Sequence, residues 1–316
     1  MPLDRLLTYE GRNPRPADFD AYWDRGLAQI AALDPQIELI PAEVQPALAE
    51  CFHLTFTSTF GARVSGKFLR PRQRTGKCPL ILIFHGFQGN CGDFFDKLGW
   101  VAQGYCVAAL DCRGQGGRSQ DHGTLRTSPP NGHLTRGLSD ANPDHLLYRQ
   151  LYLDTAMLAR VAMSFPEVDA GRVGATGGSQ GGGLTLACAA LVPQVRFAVP
   201  VFPFLCDWKR VWEMDLAKDA YQELRDYFRR FDPLHQREDE IWNRLGYIDC
   251  QHLASRIQAE VLMPLGLMDP ICPPSSQFAA FNKIPGKKNY LLYPDYGHEG
   301  LPGLNDHIAA FFYKRL

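Results

Sequence analysis

The chain lacks the marks of several protein classes. Its 33 Lys and Arg against 34 Asp and Glu leave a formal charge of -1, so no net field draws it to nucleic acid or to an anionic membrane surface. No stretch approaches the uninterrupted apolar length of a bilayer span. The opening MPLDRLLTYEGRNPRPADFD has no apolar run of the secretory kind, which makes a cytoplasmic location the expectation. The nine cysteines are odd in number and include no C-x-x-C pair, which argues against a disulfide framework and against a zinc knuckle. No H-E-x-x-H run occurs either, so neither a metal nor a cofactor is expected. Internal repeats, low-complexity tracts and long linkers are also missing, and Pro and Gly punctuate the chain singly.

What is present is enough apolar material for a full core: 316 residues, 45% of them hydrophobic. Residues 1–316 are read as a single catalytic unit, with 1–50 as an N-terminal extension. In that extension Phe19, Tyr22, Trp23, Leu27, Ile30 and Leu33 recur at near-helical spacing, predicting an amphipathic helix over 18–33. Alternating patterns over 52–59 and 63–69, joined at Phe60-Gly61, predict an antiparallel hairpin. Short continuous apolar runs then follow at 79–84, 106–110, 173–176, 197–201, 261–265 and 290–293, separated by helical patterns. This rhythm predicts an α/β fold with a mostly parallel central sheet and helices on both faces. The segment of about 207–248, rich in Trp, Tyr, Phe and charge, breaks the rhythm and reads as a helical, cap-like insertion near the active site.

In parallel sheets ligands gather beyond the carboxyl ends of the strands. Directly after the run 173–176 stands Gly177-Gly178-Ser179-Gln180-Gly181-Gly182-Gly183, followed by a helix-compatible run. This is G-x-S-x-G in the strand-turn-helix context of a nucleophile elbow. A turn whose serine merely caps the next helix is the bland alternative, and a phosphate loop is excluded because the Lys-Ser/Thr ending is missing. A serine nucleophile needs a general base, and the base needs a carboxylate to hold its tautomer. Two later strand ends supply them: Asp269 in Gly266-Leu267-Met268-Asp269, and His298 in Tyr296-Gly297-His298-Glu299. Asp295 competes for the acid role but lies only three residues from His298, and a partner on a separate loop can better brace the imidazole from behind, so Asp269 is preferred. His235, His252 and His307 are expected to be surface or packing residues, and Glu299 a structural carboxylate.

Two donors must face the oxyanion of a tetrahedral intermediate. The backbone N–H of Gln180, next to the nucleophile, is one. The other is assigned to the N–H of Phe87, in His85-Gly86-Phe87-Gln88-Gly89 after the run 79–84. His85 reads as a loop-bracing residue. The glycine-rich stretch 111–119 lacks the partners of a nucleotide site, and Arg113 within it is expected to tie loops together through its planar fork.

These residues resemble the acetyl xylan esterases and cephalosporin-C deacetylases grouped as carbohydrate esterase family seven. The likeness runs nearly end to end and rests on NPRPADFDAYWD, HGFQGN, Arg113-Gly114-Gln115-Gly116-Gly117, YRQLYLD, the Ser179 motif, Gly266-Leu267-Met268-Asp269 with Ile271-Cys272-Pro273-Pro274, and His298-Glu299. The resemblance implies an α/β-hydrolase fold with Ser179, Asp269 and His298 as triad and the N–H groups of Phe87 and Gln180 as oxyanion hole. It also implies hydrolysis of acetyl groups from xylo-oligosaccharides, sugar acetates and cephalosporin C, no cofactor, and a homohexamer whose sites face an inner chamber. The chain departs from the family at Phe87, where Tyr is usual, at His252, where Asn is expected, and at Pro270. Two other readings stand beside this one: a short-chain carboxylesterase or thioesterase, and a hydrolase-shaped receptor without turnover. A gated peptidase is disfavoured, because roughly 80 residues before the first core strand cannot build a propeller.

Overall fold

Short apolar runs bounded by turn residues bury themselves on both faces only inside a covered sheet, and here they do. In a computed structural model of the chain, which describes residues 1–121 and 133–316, nine strands form one sheet. They are β1 (Glu38–Pro41), β2 (Ala49–Thr57), β3 (Arg63–Pro71), β4 (Cys78–Phe84), β5 (Cys106–Leu110), β6 (Val168–Gly178), β7 (Val195–Val201), β8 (Glu260–Gly266) and β9 (Lys288–Tyr293). Their spatial order is β1-β2-β3-β5-β4-β6-β7-β8-β9. From β5 onward neighbours pair parallel, whereas β1, β2, β3 and β5 pair antiparallel. The predicted hairpin is β2–β3, extended at both outer ends and closed by a turn in which Phe60 and Gly61 both take positive φ. The edge strand β1 was not anticipated, because three of its four residues are exposed and no apolar alternation marks it.

The predicted N-terminal helix spans Phe19–Ala31 and buries Phe19, Tyr22, Trp23, Gly26 and Ile30. The segment 207–248 contains helices Trp208–Glu213, Gln222–Phe231 and Glu238–Gly246 between β7 and β8. Trp208, Tyr221, Phe228 and Trp242 from this segment join one buried cluster with Phe19 and Trp23 and with Leu82 of β4 and Ala175 of β6. Extension and insertion are also joined by polar contacts. The buried Asp207 carboxylate accepts hydrogen bonds from the Tyr9 hydroxyl at 2.8 Å and from the backbone N–H groups of Arg12 and Asn13 at 2.9 Å. Asp249 accepts from the N–H of Asp207 at 2.8 Å. Burial, with the nearby Asp207 charge second, pushes the Asp249 carboxyl up to about 7.

All nine cysteines are free and buried, as expected of small apolar fillers. Among the described residues no helix is long and apolar enough to cross a membrane.

Candidate active site

The carboxyl end of β6 runs into helix Gln180–Leu191 through Ser179, whose φ of 58° and ψ of -119° are strained for a residue with a Cβ. The turn is possible only because its flanks are glycine. A Cβ on Gly177 would lie 2.4 Å from the Phe84 carbonyl oxygen, and one on Gly181 only 2.1 Å from it. The close approach of β4, β6 and the helix therefore requires both glycines of G-x-S-x-G. The turn is held by the Ser179 N–H donating to the Val201 carbonyl at 3.0 Å and by the Phe204 N–H donating to the Ser179 carbonyl at 3.0 Å.

Three side chains from three strand ends meet at this turn. His298, after β9, places Nε2 2.9 Å from the Ser179 hydroxyl and Nδ1 2.8 Å from Asp269 Oδ2. Asp269, after β8, is buried, and its other oxygen accepts from the N–H groups of Ile271 at 2.9 Å and Cys272 at 2.8 Å. Those two donors fix the carboxylate so that its second oxygen faces the ring. The imidazole side chain keeps 20% of its surface exposed, so reactants can reach it. Phe202, at a φ of 29°, packs its ring 4.7 Å from the imidazole centroid. Asp295, the competing acid, lies exposed on the surface, and Glu299 instead accepts the Gly297 N–H at 2.9 Å.

Gln180 is the first residue of its helix, so its N–H belongs to the N-terminal donors that no intrahelical carbonyl satisfies. Phe87 lies in the turn after β4, which packs against the same helix, and its ring contacts Phe204 and His133 at 6.0 and 5.7 Å between centroids. His85 braces this region: Nδ1 bonds the Gly86 carbonyl at 2.7 Å, while Nε2 accepts the Cys112 N–H at 3.0 Å. Burial holds its imidazole below the ordinary range, favouring the neutral form that these bonds use. Arg113 ties loops as its fork suggested, with Nε 2.7 Å from Asp154 Oδ2 and further bonds to the backbone and hydroxyl of Thr59. His252 is buried against Phe19 and bonds the Pro14 carbonyl at 3.1 Å, while His235 and His307 are surface residues.

The role of Gln115 was not legible in the sequence. Its Oε1 accepts the Gln88 N–H at 2.9 Å, and its Nε2 donates to Gln180 Oε1 at 2.8 Å. Tyr148 also donates to Gln180 Oε1 at 2.8 Å. Gln115 thus bridges the two segments carrying Phe87 and Gln180. Cys272 was likewise unassigned, although it lies at the bottom of the site; burial, with the Asp269 charge second, pushes its thiol well above the ordinary range. Both stand in stretches that carry the family resemblance, 113–117 and 271–274, but local pattern assigns neither a role, since each acts on a segment distant in the chain.

A serine hydroxyl, an imidazole and a buried carboxylate in series can move a proton off the serine and hold the imidazolium that results. Together with the parallel sheet and the nucleophile turn, this arrangement defines a serine hydrolase of the α/β-hydrolase fold. The acetyl xylan esterase (AXE1) family model matches residues 1–316, and the chain belongs to that family, whose members are carboxylic ester hydrolases. Acetyl xylan esterase 1 from Thermoanaerobacterium sp. is 52% identical over 99% of this chain and 98% of its own, with a TM-score of 0.97. An acetyl xylan esterase from a Paenibacillus species is 36% identical over the whole of both chains, with a TM-score of 0.95. Among curated proteins, an acetyl esterase of Xylanibacter ruminicola is 26% identical over 88% of this chain. The chain spans 62% of that relative's length.

Proposed function

We propose that the protein is a serine esterase that removes acetyl groups from small acetylated compounds, with xylo-oligosaccharide acetates, simple sugar acetates and cephalosporin C as the substrate class. The observation that carries this reading is the continuous relay from the Ser179 hydroxyl through His298 to Asp269, with both bonds under 3 Å. In the first half-reaction Ser179 Oγ attacks the acetyl carbonyl while His298 Nε2 takes the hydroxyl proton. The oxyanion accepts from the N–H groups of Phe87 and Gln180. The tetrahedral intermediate collapses, the C–O bond to the alcohol breaks, and the imidazolium returns its proton to the leaving oxygen. Water then attacks the acetyl-serine with the same imidazole as base, releasing acetate and restoring the hydroxyl.

Acetate release from xylose, xylo-oligosaccharide and cephalosporin acetates, run beside propionyl, butyryl and longer esters and a thioester series, tests the substrate class. Acetates should be fastest; a preference for longer acyl chains or thioesters would move the assignment to the short-chain carboxylesterase or thioesterase reading. A serine-directed fluorophosphonate should label the native protein and fail to label Ser179→Ala. Folded wild-type protein that takes no label would favour a non-catalytic receptor. The homohexamer that the family resemblance implies is part of this proposal, and light scattering on the purified chain tests the assembly.

A further inference from the structure

The acyl-transfer chemistry above uses a hydroxyl, an imidazole and a carboxylate, but no thiol. Nevertheless, Cys272 stands among these groups. A carboxylate oxygen of Asp269, the Cys272 sulfur and one ring nitrogen of His298 all lie within 4.8 Å of one another, in the one such group of three His, Cys, Asp or Glu residues among the described residues. Three potential ligand atoms, from the turns after β8 and β9, therefore stand together at the base of the site. Cys272 is fully buried, whereas the imidazole beside it keeps part of its surface exposed.

We propose that Cys272, His298 and Asp269, with water in the fourth position, form an inhibitory site for a thiophilic divalent cation of the zinc type. Sulfur, imidazole nitrogen and carboxylate oxygen together are the donor set of a tetrahedral zinc ion, and the thiolate biases the site against magnesium and calcium. Zinc bonds are about 2.3 Å to sulfur and about 2.0–2.1 Å to nitrogen, so the ligand atoms of a tetrahedron stand roughly 3.3–3.7 Å apart. The side chains need only close by an ångström or so to reach this spacing. Coordination forms a metal–sulfur bond, sends the thiol proton to solvent and occupies a lone pair of the imidazole. An ion held there takes the place of the hydrogen bond between Asp269 and Nδ1 and leaves the ring proton on Nε2, so the imidazole no longer accepts the Ser179 proton. The site is an off-switch, not a cofactor seat.

The test uses the full chain, stripped of metal and titrated with Zn²⁺, with Cd²⁺ as a spectroscopic probe and Mg²⁺ as control. Cd²⁺ should raise the ultraviolet charge-transfer band of a cadmium–thiolate bond, and both soft ions should slow fluorophosphonate labelling of Ser179. Zn²⁺ at micromolar concentration should inhibit acetate release, and a chelator should restore it; Mg²⁺ should do neither. In Cys272→Ala the band should vanish. The half-inhibiting Zn²⁺ concentration, scored against the variant's own metal-free rate, should rise by about tenfold or more. If Cys272→Ala does not fold, Cys272→Ser carries the same expectation, since a hydroxyl is a poor soft-metal ligand. Equal sensitivity of the variant and the wild type, or persistence of the band in the variant, overturns the proposal. The band requires no substrate, so it still reports on this site even if every ester tested proves inert.

Discussion

Replacing Gln115 by alanine removes a side chain that hydrogen-bonds both segments from which the oxyanion donors of the proposed mechanism come. Three bonds are lost: Oε1 accepts from the Gln88 N–H at 2.9 Å and from Gln180 Nε2 at 3.0 Å, and Nε2 donates to Gln180 Oε1 at 2.8 Å. The Gln88 N–H is near solvent and Tyr148 still holds Gln180, so the stability cost stays near the low end for three hydrogen bonds, about 1.5 kcal/mol. The effect on rate should be larger. Complete loss of one oxyanion donor costs about 10²–10³-fold in kcat. Here the Phe87 turn is loosened and not deleted, so a fall of about tenfold, equivalent to about 1.4 kcal/mol, is expected. The donors act on charge that exists only in the transition state, and KM should therefore stay within about twofold. Steady-state kinetics on a chromogenic acetate, with a thermal melt as control, measures both quantities. Gln115→Met, which keeps bulk without the amide, should behave like alanine. A kcat within about twofold of wild type in a folded variant, or a loss confined to KM, would refute the strut argument.

Asp269→Asn should lower kcat by about 10⁴-fold with little change in folding. The asparagine carbonyl can still accept from Ile271 and Cys272, but its NH₂ then faces Nδ1 and turns the imidazole to the wrong tautomer. Asp295→Asn, on the exposed competitor, should leave kcat within about twofold; activity assays on the pair decide the acid. Burial, followed by the Lys283 charge, holds the His252 imidazole down to about 3. A base depressed in the folded state adds stability above its unfolded pKa of about 6.5, and that stability is lost as pH falls through the window toward 3. His252→Asn should therefore show a shallower drop in Tm between about pH 6.5 and 4 than wild type, and parallel curves would contradict the assignment. Arg113→Ala leaves the fully buried Asp154 carboxylate without its cation and should cost about 3–5 kcal/mol in denaturant unfolding.

Much of the fold was legible because local pattern carries it. Each of the six apolar runs lies within a strand of the sheet, and the Gly177 to Gly183 stretch became the strand-turn-helix that its glycines allow. The helix over 18–33 was visible in the spacing of Phe19, Tyr22, Trp23 and Ile30, since burial on one face imposes that period. The edge strand β1 was not, because an exposed edge imposes no apolar alternation.

For the site, the sequence by itself determined which residue types were available and at which strand ends: a serine on a strained turn, two acids after strands, one histidine after the last. It could not determine which acid meets the imidazole. That choice belongs to the tertiary structure, in which β8 lies between β7 and β9 and brings Asp269 behind the ring while Asp295 faces solvent. The bridging position of Gln115 and the presence of Cys272 beside the triad were decided in the same way. Periodicity reports the face on which a residue lies. Contacts between loops distant in the chain depend on the order in which the strands pack, and no local pattern encodes that order.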